Sequence, residues 1–232
     1  MTTGFRLSIA IPLHNEEHVL PELLRRIRMV LDQIAGGPHE IVFVDDGSTD
    51  RTFLILEEAV KQDPGIQVIS LSRNFGHQAA ITAALDYVTG EAAVVMDGDL
   101  QDVPEAIPQF VEKYQQGYEV VYAQRVRRKE SWPLRICYFV FYRIMAKLSD
   151  IRLPLDSGDF GLMSRRVIDQ VRRMPEHHRY LRGMRSWVGF RQTGVPVERE
   201  ERHSGKSKYS LSRLVKLATD GMFAFSVLCR NS

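Results

Sequence analysis

An apolar run that ends in clustered carboxylates occupies residues 94–102, Val94-Val-Met-Asp-Gly-Asp-Leu-Gln-Asp102. The apolar part predicts a buried strand, and Asp97, Asp99 and Gln101 follow at its end. Open α/β sheets bind their ligands outside the carboxyl ends of their strands. Carboxylate and amide oxygens suit Mg²⁺ or Mn²⁺. The stretch therefore predicts a divalent cation at the mouth of a sheet, together with the phosphates that such a cation neutralises.

Strands and helices alternate through the first half of the sequence. Short β-branched runs predict strands at 7–11, 40–44, 67–71, 92–96 and 119–123, and helical periodicity predicts helices at 19–34, 51–62, 78–89 and 105–116. This alternation predicts an α/β fold with a mostly parallel sheet. Because right-handed crossovers bring the carboxyl ends of such strands to one edge, we expect the loops that follow them to meet in one crevice. These loops are 12–17, 45–50, 97–102 and 124–128.

The second half of the sequence has a different pattern. Residues 131–148 are strongly apolar and aromatic, with arginine and lysine residues spaced along them. Such a helix either packs in the core or lies in a membrane interface with its cations toward the headgroups. A basic helix is predicted at 164–174, and a second apolar helix at 211–228.

The charges are balanced in total but unevenly distributed. The chain has 232 residues and a formal net charge of +2, so its overall charge does not indicate a nucleic-acid partner. Acidic residues are concentrated at 40–50 and 97–105, and basic residues at 125–135 and 202–216. This separation suggests an acidic metal-binding pocket with basic margins that face phosphate or an anionic surface. The two cysteines lie far apart in apolar contexts, and we expect them to be reduced, as in a cytosolic compartment.

Each acidic cluster also has a simpler interpretation when it is taken alone. In an extended segment Asp97, Asp99 and Gln101 would point the same way and could face one ion, but an Asp-x-Asp is also a common solvated turn. Asp45 and Asp46 either accept hydrogen bonds from a base or ribose, or belong to a turn and helix cap. The clusters become specific only when they are considered together, in order along the chain.

Six motifs in order give the sequence a specific family resemblance. They are Ile11-Pro-Leu-His-Asn-Glu16, Val44-Asp-Asp-Gly-Ser-Thr-Asp50, Leu71-Ser-Arg-Asn-Phe-Gly-His77, Met96-Asp-Gly-Asp-Leu-Gln-Asp102, Asp156-Ser-Gly-Asp-Phe160 and Arg202-His-Ser-Gly-Lys-Ser-Lys-Tyr209. The sequence resembles the inverting family 2 glycosyltransferases, closest to the polyprenyl-phosphate branch with dolichol-phosphate mannosyltransferase and undecaprenyl-phosphate glucosyltransferases. The resemblance covers nearly all of residues 7–228. It implies an A-type glycosyltransferase fold, which is Rossmann-like, with a mostly parallel sheet flanked by helices and amphipathic C-terminal helices at an interface.

The resemblance implies roles for the residues of the donor site. Contacts with the nucleoside, its base and its ribose are implied for Pro12, Asn15, Glu16, Asp45 and Asp46. Binding of Mg²⁺ or Mn²⁺ is implied for Asp97, Asp99 and Gln101, with the ribose or sugar as an alternative partner of Asp97.

Further roles are implied around the phosphates and the acceptor. Arg125 would lie at the edge of the sugar or acceptor-phosphate site. Closure over the diphosphate is implied for Arg202, Ser207 and Lys208. Asp156 or Asp159 is the implied catalytic base, although a carboxylate there could instead orient a basic side chain or cap the helix at Ser164.

The implied reaction is the inverting transfer of a hexose from a nucleotide-diphosphate sugar, UDP-glucose or a similar donor, to undecaprenyl or dolichyl phosphate. Similarity to the bacterial glucosyl branch around residues 74–77 favours uridine over guanosine. The alternatives are a family 2 transferase with a soluble sugar or polysaccharide acceptor, and a nucleotide-binding protein without turnover.

The resemblance also divides the catalytic domain into two halves. Residues 1–130 would bind the nucleotide sugar, and residues 131–232 would meet the acceptor and the membrane interface. Bacterial relatives continue into two membrane-spanning helices that this sequence does not contain. We therefore expect either peripheral attachment at the cytoplasmic face of the membrane or a sequence trimmed from an integral protein. The expected partners are the donor, the lipid phosphate and a membrane surface, without nucleic acid, and a homo-oligomer is left open.

Overall fold

The computed structural model describes residues 4–125, 157–176 and 179–198. The strands in these residues are β1 (Leu7–Leu13), β2 (Glu40–Asp45), β3 (Ile66–Ser70), β4 (Ala92–Val95), β5 (Val120–Arg125), β6 (Ser157–Ser164) and β7 (Gln192–Val197). The helices are α1 (Leu20–Leu31), α2 (Thr52–Gln62), α3 (His77–Tyr87), α4 (Ile107–Gln115), α5 (Arg165–Arg173) and α6 (Leu181–Trp187). A short 3₁₀ helix, Pro104–Ala106, precedes α4.

The strands form one sheet with the order β3-β2-β1-β4-β6-β5-β7. β6 runs antiparallel to β4 and β5, and the other neighbouring strands are parallel. The predicted α/β fold with a mostly parallel sheet is therefore confirmed. The chain leaves β1 toward β2 and β3 on one side and returns to β4 on the other, so the strand order reverses between β1 and β4. In open α/β sheets this switch point, at the carboxyl ends of the strands, is where ligands bind.

Helices cover both faces of the sheet, which explains why β1 is buried along its whole length. One face packs against α1, α2 and α4, and α1 contributes Leu20, Leu23 and Ile27 at helical spacing. The opposite face packs against α3, α5 and α6, and α3 contributes the small residues Ala80 and Ala84. The apolar runs of β1, β2 and β4 follow from their central position between two helical layers.

The five strands predicted from β-branched runs are all present, with ends within two residues of the predicted ones. β6, β7 and α6 were not predicted. β6 contains glycines, and a Cβ at Gly161 would lie 2.5 Å from the carbonyl oxygen of Val121, so the close strand approach requires glycine there. β7 contains Gly194 and Pro196, and it tolerates the proline because it lies at the edge of the sheet.

Two predicted apolar helices, 131–148 and 211–228, lie outside the described residues. Among the helices that are described, none combines the length and the apolar character needed to cross a bilayer.

A buried carboxylate joins three segments at the amino edge of the sheet, opposite the predicted site. Glu40, at the start of β2, accepts hydrogen bonds from Ser8 Oγ at 2.5 Å and from Thr89 N at 2.5 Å. It also pairs with the Arg6 guanidinium at 2.8 Å. Burial alone would raise the pKa of Glu40, but the hydrogen bonds from Ser8 and Thr89 and the charge of Arg6 lower it below its ordinary value. Glu40 therefore stabilises the fold in its ionised form.

Changing Glu40 to glutamine should lower the free energy of unfolding at pH 7 by about 1–3 kcal/mol, because charge-assisted hydrogen bonds are lost inside the protein. Since the folded-state pKa is lowered, this stabilisation is present above the unfolded pKa of about 4.3 and is lost as the pH falls through the folded-state value. Urea unfolding at pH 7 and in acid measures it. The exposed Glu57→Gln is the matched control, and equal effects of the two substitutions at pH 7 would contradict the assignment.

Candidate active site

The loops that follow β1 and β2 are joined by hydrogen bonds. Asn15 has a left-handed backbone with φ of 58°, which asparagine tolerates better than most residues. Its side-chain oxygen accepts from Thr49 N at 2.7 Å, and its backbone N–H donates to Ser48 Oγ at 3.0 Å. Glu16 N donates to Thr52 Oγ1 at 2.8 Å. The two loops therefore form one continuous wall, which contains the predicted nucleoside-site residues Asn15 and Glu16.

Asp46 extends this wall to the loop that follows β3. Its two carboxylate oxygens accept hydrogen bonds from Phe75 N at 2.7 Å and from Gly76 N at 2.9 Å. The neighbouring Gly47 has φ of 64°, and a Cβ there would lie 2.5 Å from the carbonyl carbon of Arg73. Asp45 accepts from Ser48 N at 3.3 Å. Both aspartates are buried. The Asp46 carboxylate joins the loop after β2 to the loop after β3, whereas the Asp45 contact lies within the loop after β2.

The start of α3 connects the Asp46 turn to the Asp97 turn. Gly76 adopts φ of 97° before the helix begins at His77. His77 Nε2 lies 3.3 Å from Asp97 Oδ1 and 3.5 Å from Asp159 Oδ2. The turns at residues 46 and 97 thus lie at the same edge of the sheet, as the loop-convergence prediction requires.

Residues 97–102 form a turn, whereas the sequence argument for one metal-facing row assumed an extended segment. The non-glycine residue Leu100 has φ of 59°. Asp99 Oδ1 accepts from Gln101 N at 3.1 Å, and Asp102 Oδ2 accepts from Asp97 N at 3.0 Å. The alternation of side chains along a strand therefore does not apply here, and the turn itself sets the directions of Asp97 and Asp99.

β6 brings a buried carboxylate, Asp159, to this edge. Its Oδ1 accepts from Arg182 Nε at 2.9 Å, and its Oδ2 accepts from Gln78 Nε2 at 3.2 Å. Gln78 also accepts from Leu181 N at 2.9 Å through its side-chain oxygen. The contacts therefore tie β6, α3 and α6 together. The alternative prediction, that this carboxylate caps the helix at Ser164, does not apply to Asp159. The N-terminus of α5 is capped by Ser164 itself, whose Oγ accepts a hydrogen bond from Val167 N at 3.3 Å.

Opposite charges shift the pKa values of these groups. Burial alone would raise the pKa of Asp159, but the charge of Arg182 and the hydrogen bonds from His77 and Arg182 hold it well below its usual range. Burial opposes the charge of Arg182, yet Asp159 raises the pKa of that guanidinium. Burial also lowers the pKa of His77, but Asp159 and Asp97 outweigh it and raise the pKa. Asp159 is therefore a firmly ionised carboxylate.

A cleft at this edge contains the acidic and basic groups together. Its polar lining consists of Asp97, Gln101, Asp102, Asp159 and Arg182. Ala123, Gly158, Phe160 and Val197 complete the walls.

The acidic turn fits a divalent cation that shares its coordination with a substrate. Within the described residues, no group of three or more histidine, cysteine, aspartate and glutamate side chains forms a protein cage for a metal. Mg²⁺ commonly binds through one or two carboxylates and keeps its other positions for water and substrate phosphates. Asp97 lines the cleft with one such carboxylate, and Asp99 lies two residues further along the same turn.

Most of the predicted site residues lie at this edge of the sheet, and Asp99 belongs to the turn after β4 without being part of the cleft lining. Asp97, Gln101 and Asp159 line the cleft, and the nucleoside-site residues form the adjoining wall, where Pro12 lies in β1 opposite Val44. Arg125 is the last residue of β5. Asp156, Arg202, Ser207 and Lys208 lie outside the described residues.

Three residues at this edge were not predicted from the sequence as site residues: His77, Gln78 and Arg182. His77 closes one of the six motifs, so its place after β3 was an available signal. Arg182 lies in α6, and neither α6 nor β6 was predicted from the sequence. The neighbours of Arg182 become visible only when β6 is seen to pair with β4.

Comparison with known proteins identifies the family. The profile of "Glycosyl transferase family 2" matches residues 8–172. An uncharacterized glycosyltransferase of Bacillus subtilis, YkcC, is 46% identical over 97% of this chain and 70% of its own length. A prophage bactoprenol glucosyl transferase homolog of Escherichia coli is 36% identical over 95% of this chain and 72% of its own length.

Solved structures share the fold. A mannosyltransferase from Pyrobaculum calidifontis in complex with GDP-Man and Mn²⁺ has a TM-score of 0.63 at 21% identity, covering 89% of this chain and 59% of that one. Glucosyl-3-phosphoglycerate synthase from Mycobacterium tuberculosis, in complex with Mn²⁺ and UDP-glucose, has a TM-score of 0.62 at 18% identity, covering 93% and 76%. These likenesses confirm the predicted A-type glycosyltransferase fold. With the family profile across most of its length and relatives well above 30% identity, the chain belongs to glycosyl transferase family 2.

Proposed function

We propose that this protein transfers glucose from UDP-glucose to a polyprenyl phosphate, with inversion at the anomeric carbon. The observation that carries the proposal is the cleft in which the Asp97 turn meets the Asp159–Arg182 pair beside the wall of loops at the switch point. The 36% identity to proteins named bactoprenol glucosyl transferase supports glucose and a polyprenyl carrier as substrates.

The donor nucleoside binds along the wall built by the loops after β1, β2 and β3. Asn15 and Asp46 shape this wall through their contacts with the neighbouring loops, while Pro12, Glu16 and Asp45 complete the predicted nucleoside contacts. A hydrogen-bonded wall costs little reorganisation when the ligand arrives, which favours tight binding.

Asp97 and Asp99, with Gln101 beside them, would hold Mg²⁺ or Mn²⁺ next to the donor diphosphate. Such an ion supplies positive charge that stabilises the leaving diphosphate. The protein's own contribution is the turn after β4, which is held by the hydrogen bonds from Gln101 N to Asp99 and from Asp97 N to Asp102 and which carries Asp97 into the lining of the cleft.

An oxygen of the acceptor phosphate attacks the anomeric carbon as the bond from that carbon to the diphosphate oxygen breaks, and UDP leaves. A phosphate monoester with a second pKa near about 6 is mostly dianionic at pH 7, so it needs little help from a base. Asp159 has a lowered pKa, which makes it a weak proton acceptor. We therefore assign Asp159 the role of orienting Arg182 rather than that of the base.

The remaining predicted roles complete the proposal. Arg125 contacts the sugar or the acceptor phosphate, Asp156 is the remaining candidate base, and Arg202, Ser207 and Lys208 close over the diphosphate. The apolar helices predicted at 131–148 and 211–228 would lie at the cytoplasmic surface of the membrane, where a lipid phosphate is presented.

The proposed reaction is tested directly with radiolabelled UDP-glucose, undecaprenyl phosphate in detergent micelles and Mn²⁺. We expect glucose in the lipid fraction and one UDP released for each glucose transferred. Undecaprenol without its phosphate and GDP-mannose in place of UDP-glucose are the controls. Release of UDP without any lipid product, or transfer to a soluble sugar alone, would contradict the proposed acceptor.

Changing Asp97 to asparagine should lower kcat/KM at least about 100-fold, because a carboxylate that would hold the cation is lost and the leaving diphosphate is then less well stabilised. A chelator should abolish wild-type turnover, and added Mn²⁺ or Mg²⁺ should restore it. The exposed Asp32→Asn is the matched control and should keep full activity. Undiminished turnover in the chelator together with an active Asp97→Asn would rule out the metal assignment.

Changing Asp159 to asparagine separates orientation from base catalysis. We expect kcat/KM to fall about 10- to 100-fold as Arg182 loses its charged partner. The pH–rate profiles of both enzymes should show the same fall in rate at low pH, because that fall follows protonation of the acceptor phosphate, whose pKa is about 6. A fall that is present in the wild type and absent from the variant would instead support Asp159 as the base.

A further inference from the structure

Two arginines of α6 stand one helical turn apart beside Asp159. Arg182 lines the cleft, and its side chain remains 29% exposed. Arg185 is only 1% exposed. Arg185 donates to the carbonyl oxygen of Gly158 at 3.2 Å, and its guanidinium carbon lies 5.5 Å from the centre of the Tyr122 ring. α6 thus places one cation at the cleft surface and a second behind it.

Only part of the buried Arg185 guanidinium is hydrogen-bonded within the described part of the chain. Its Nε is buried without a hydrogen-bond partner there, and no described carboxylate forms an ion pair with it. Burial lowers the pKa of Arg185 to about 10, so the group is still charged at neutral pH. A buried cation without a directly paired anion is unfavourable unless charge of opposite sign lies nearby. Asp159 supplies part of that charge while Arg182 opposes it, and a substrate anion at the cleft would add to it.

Arg182 is held in a way that leaves donors available. Asp159 accepts from its Nε and from one terminal nitrogen, at 2.9 Å and 3.3 Å. A guanidinium has five N–H donors in a rigid plane, so this pairing fixes the plane and uses only one edge of it. Gln78 locks the arrangement, because it donates to Asp159 and accepts from Leu181 N at the first residue of α6. Arg182 is therefore oriented before any ligand arrives.

We propose that Arg182 binds a phosphate group of a substrate directly, and that Arg185 strengthens this binding from behind as a second positive charge. Asp159 and Gln78 are positioning residues that act through Arg182. The inference rests on the proposed function, since it assigns the phosphate-binding group of the same cleft. Planar, bidentate recognition of phosphate oxygens is the chemistry for which arginine is suited.

The phosphate has two sources that share this chemistry, the diphosphate of the nucleotide donor and the monophosphate of the lipid acceptor. Calorimetry with paired ligands distinguishes them. UDP is compared with uridine, and dodecyl phosphate in micelles is compared with dodecanol, in each case with Mg²⁺ present. If the cleft binds the phosphate of one of these substrates, the ligand that carries the phosphate should bind more tightly than the matched ligand without it.

Changing Arg182 to glutamine should weaken binding of UDP or of dodecyl phosphate at least about tenfold, because a hydrogen-bonded charge is removed from the phosphate. Binding of uridine and dodecanol should not change. Arg166→Gln is the matched control, since Arg166 forms an exposed pair with Glu119 at 2.6 Å and neither residue lines the cleft. This variant should bind all ligands as the wild type does.

Removing Arg182 alone leaves Asp159 buried without its partner, which by itself can unfold the protein. The double variant Arg182→Gln with Asp159→Asn removes both charges, and it should fold and show the same selective loss of phosphate affinity. Arg185→Met should weaken the same ligand by a smaller factor, again without an effect on uridine or dodecanol. A merely structural role would weaken both members of a pair equally.

Two results would overturn the inference: wild-type affinity for both phosphate ligands in a folded Arg182 variant, or a wild type that does not prefer the phosphate-bearing member of either pair. Failure of the proposed function has a different signature. If the wild type transfers no glucose but Arg182 variants lose phosphate binding, the phosphate site stands and the reaction is wrong. If the wild type transfers glucose while the variants bind both phosphates normally, the reaction stands and the site assignment is wrong.

Discussion

The rest of the site depends on the hydrogen bonds that the Asp46 carboxylate accepts. This carboxylate accepts the backbone N–H groups of Phe75 and Gly76, and the Asp46 carbonyl oxygen lies 2.9 Å from His14 Nδ1. An ionised acceptor makes such hydrogen bonds stronger than neutral ones. Because α3 begins immediately after Gly76, the same carboxylate sets where His77 reaches Asp97. One residue thus connects the loops after β1, β2 and β3, through its backbone carbonyl and its carboxylate, and through His77 it connects them to the acidic turn after β4.

The second constraint is electrostatic. Buried ion pairs contribute little net stability, because desolvation of both charges offsets their attraction, and removal of one partner is far more costly than removal of both. The Asp159–Arg182 pair is therefore better explained by geometry than by stability. Its contacts fix the plane of one guanidinium at the cleft, and Gln78 fixes the carboxylate. In the proposed reaction, charges that are oriented beforehand would cost no reorganisation as the diphosphate leaves, and such preorganisation is the usual source of electrostatic catalysis.

How much of this could be read from the sequence depended on the kind of pattern involved. β1, β2 and β4 are buried on both faces, so their residues form apolar runs that are visible without any partner. β6 has no such run, because its glycines allow close approach to β5 and its polar Asp159 faces the site. For residues 97–102 the sequence left an extended row and a solvated turn as alternatives, and the positive φ of Leu100 belongs to the turn.

The sequence by itself determined the family, the parallel order of the first elements and the acidic loops that meet at the candidate site, because each of these leaves a local pattern of apolar runs, spacing or motif. Only the tertiary structure decided which basic and amide groups meet those acids. Gln78 and Arg182 are 104 residues apart in the chain, and they meet at Asp159 because β6 enters the sheet antiparallel between β4 and β5. A contact across that distance is set by how strands pair and helices pack, and neither of these is encoded in the residues next to it.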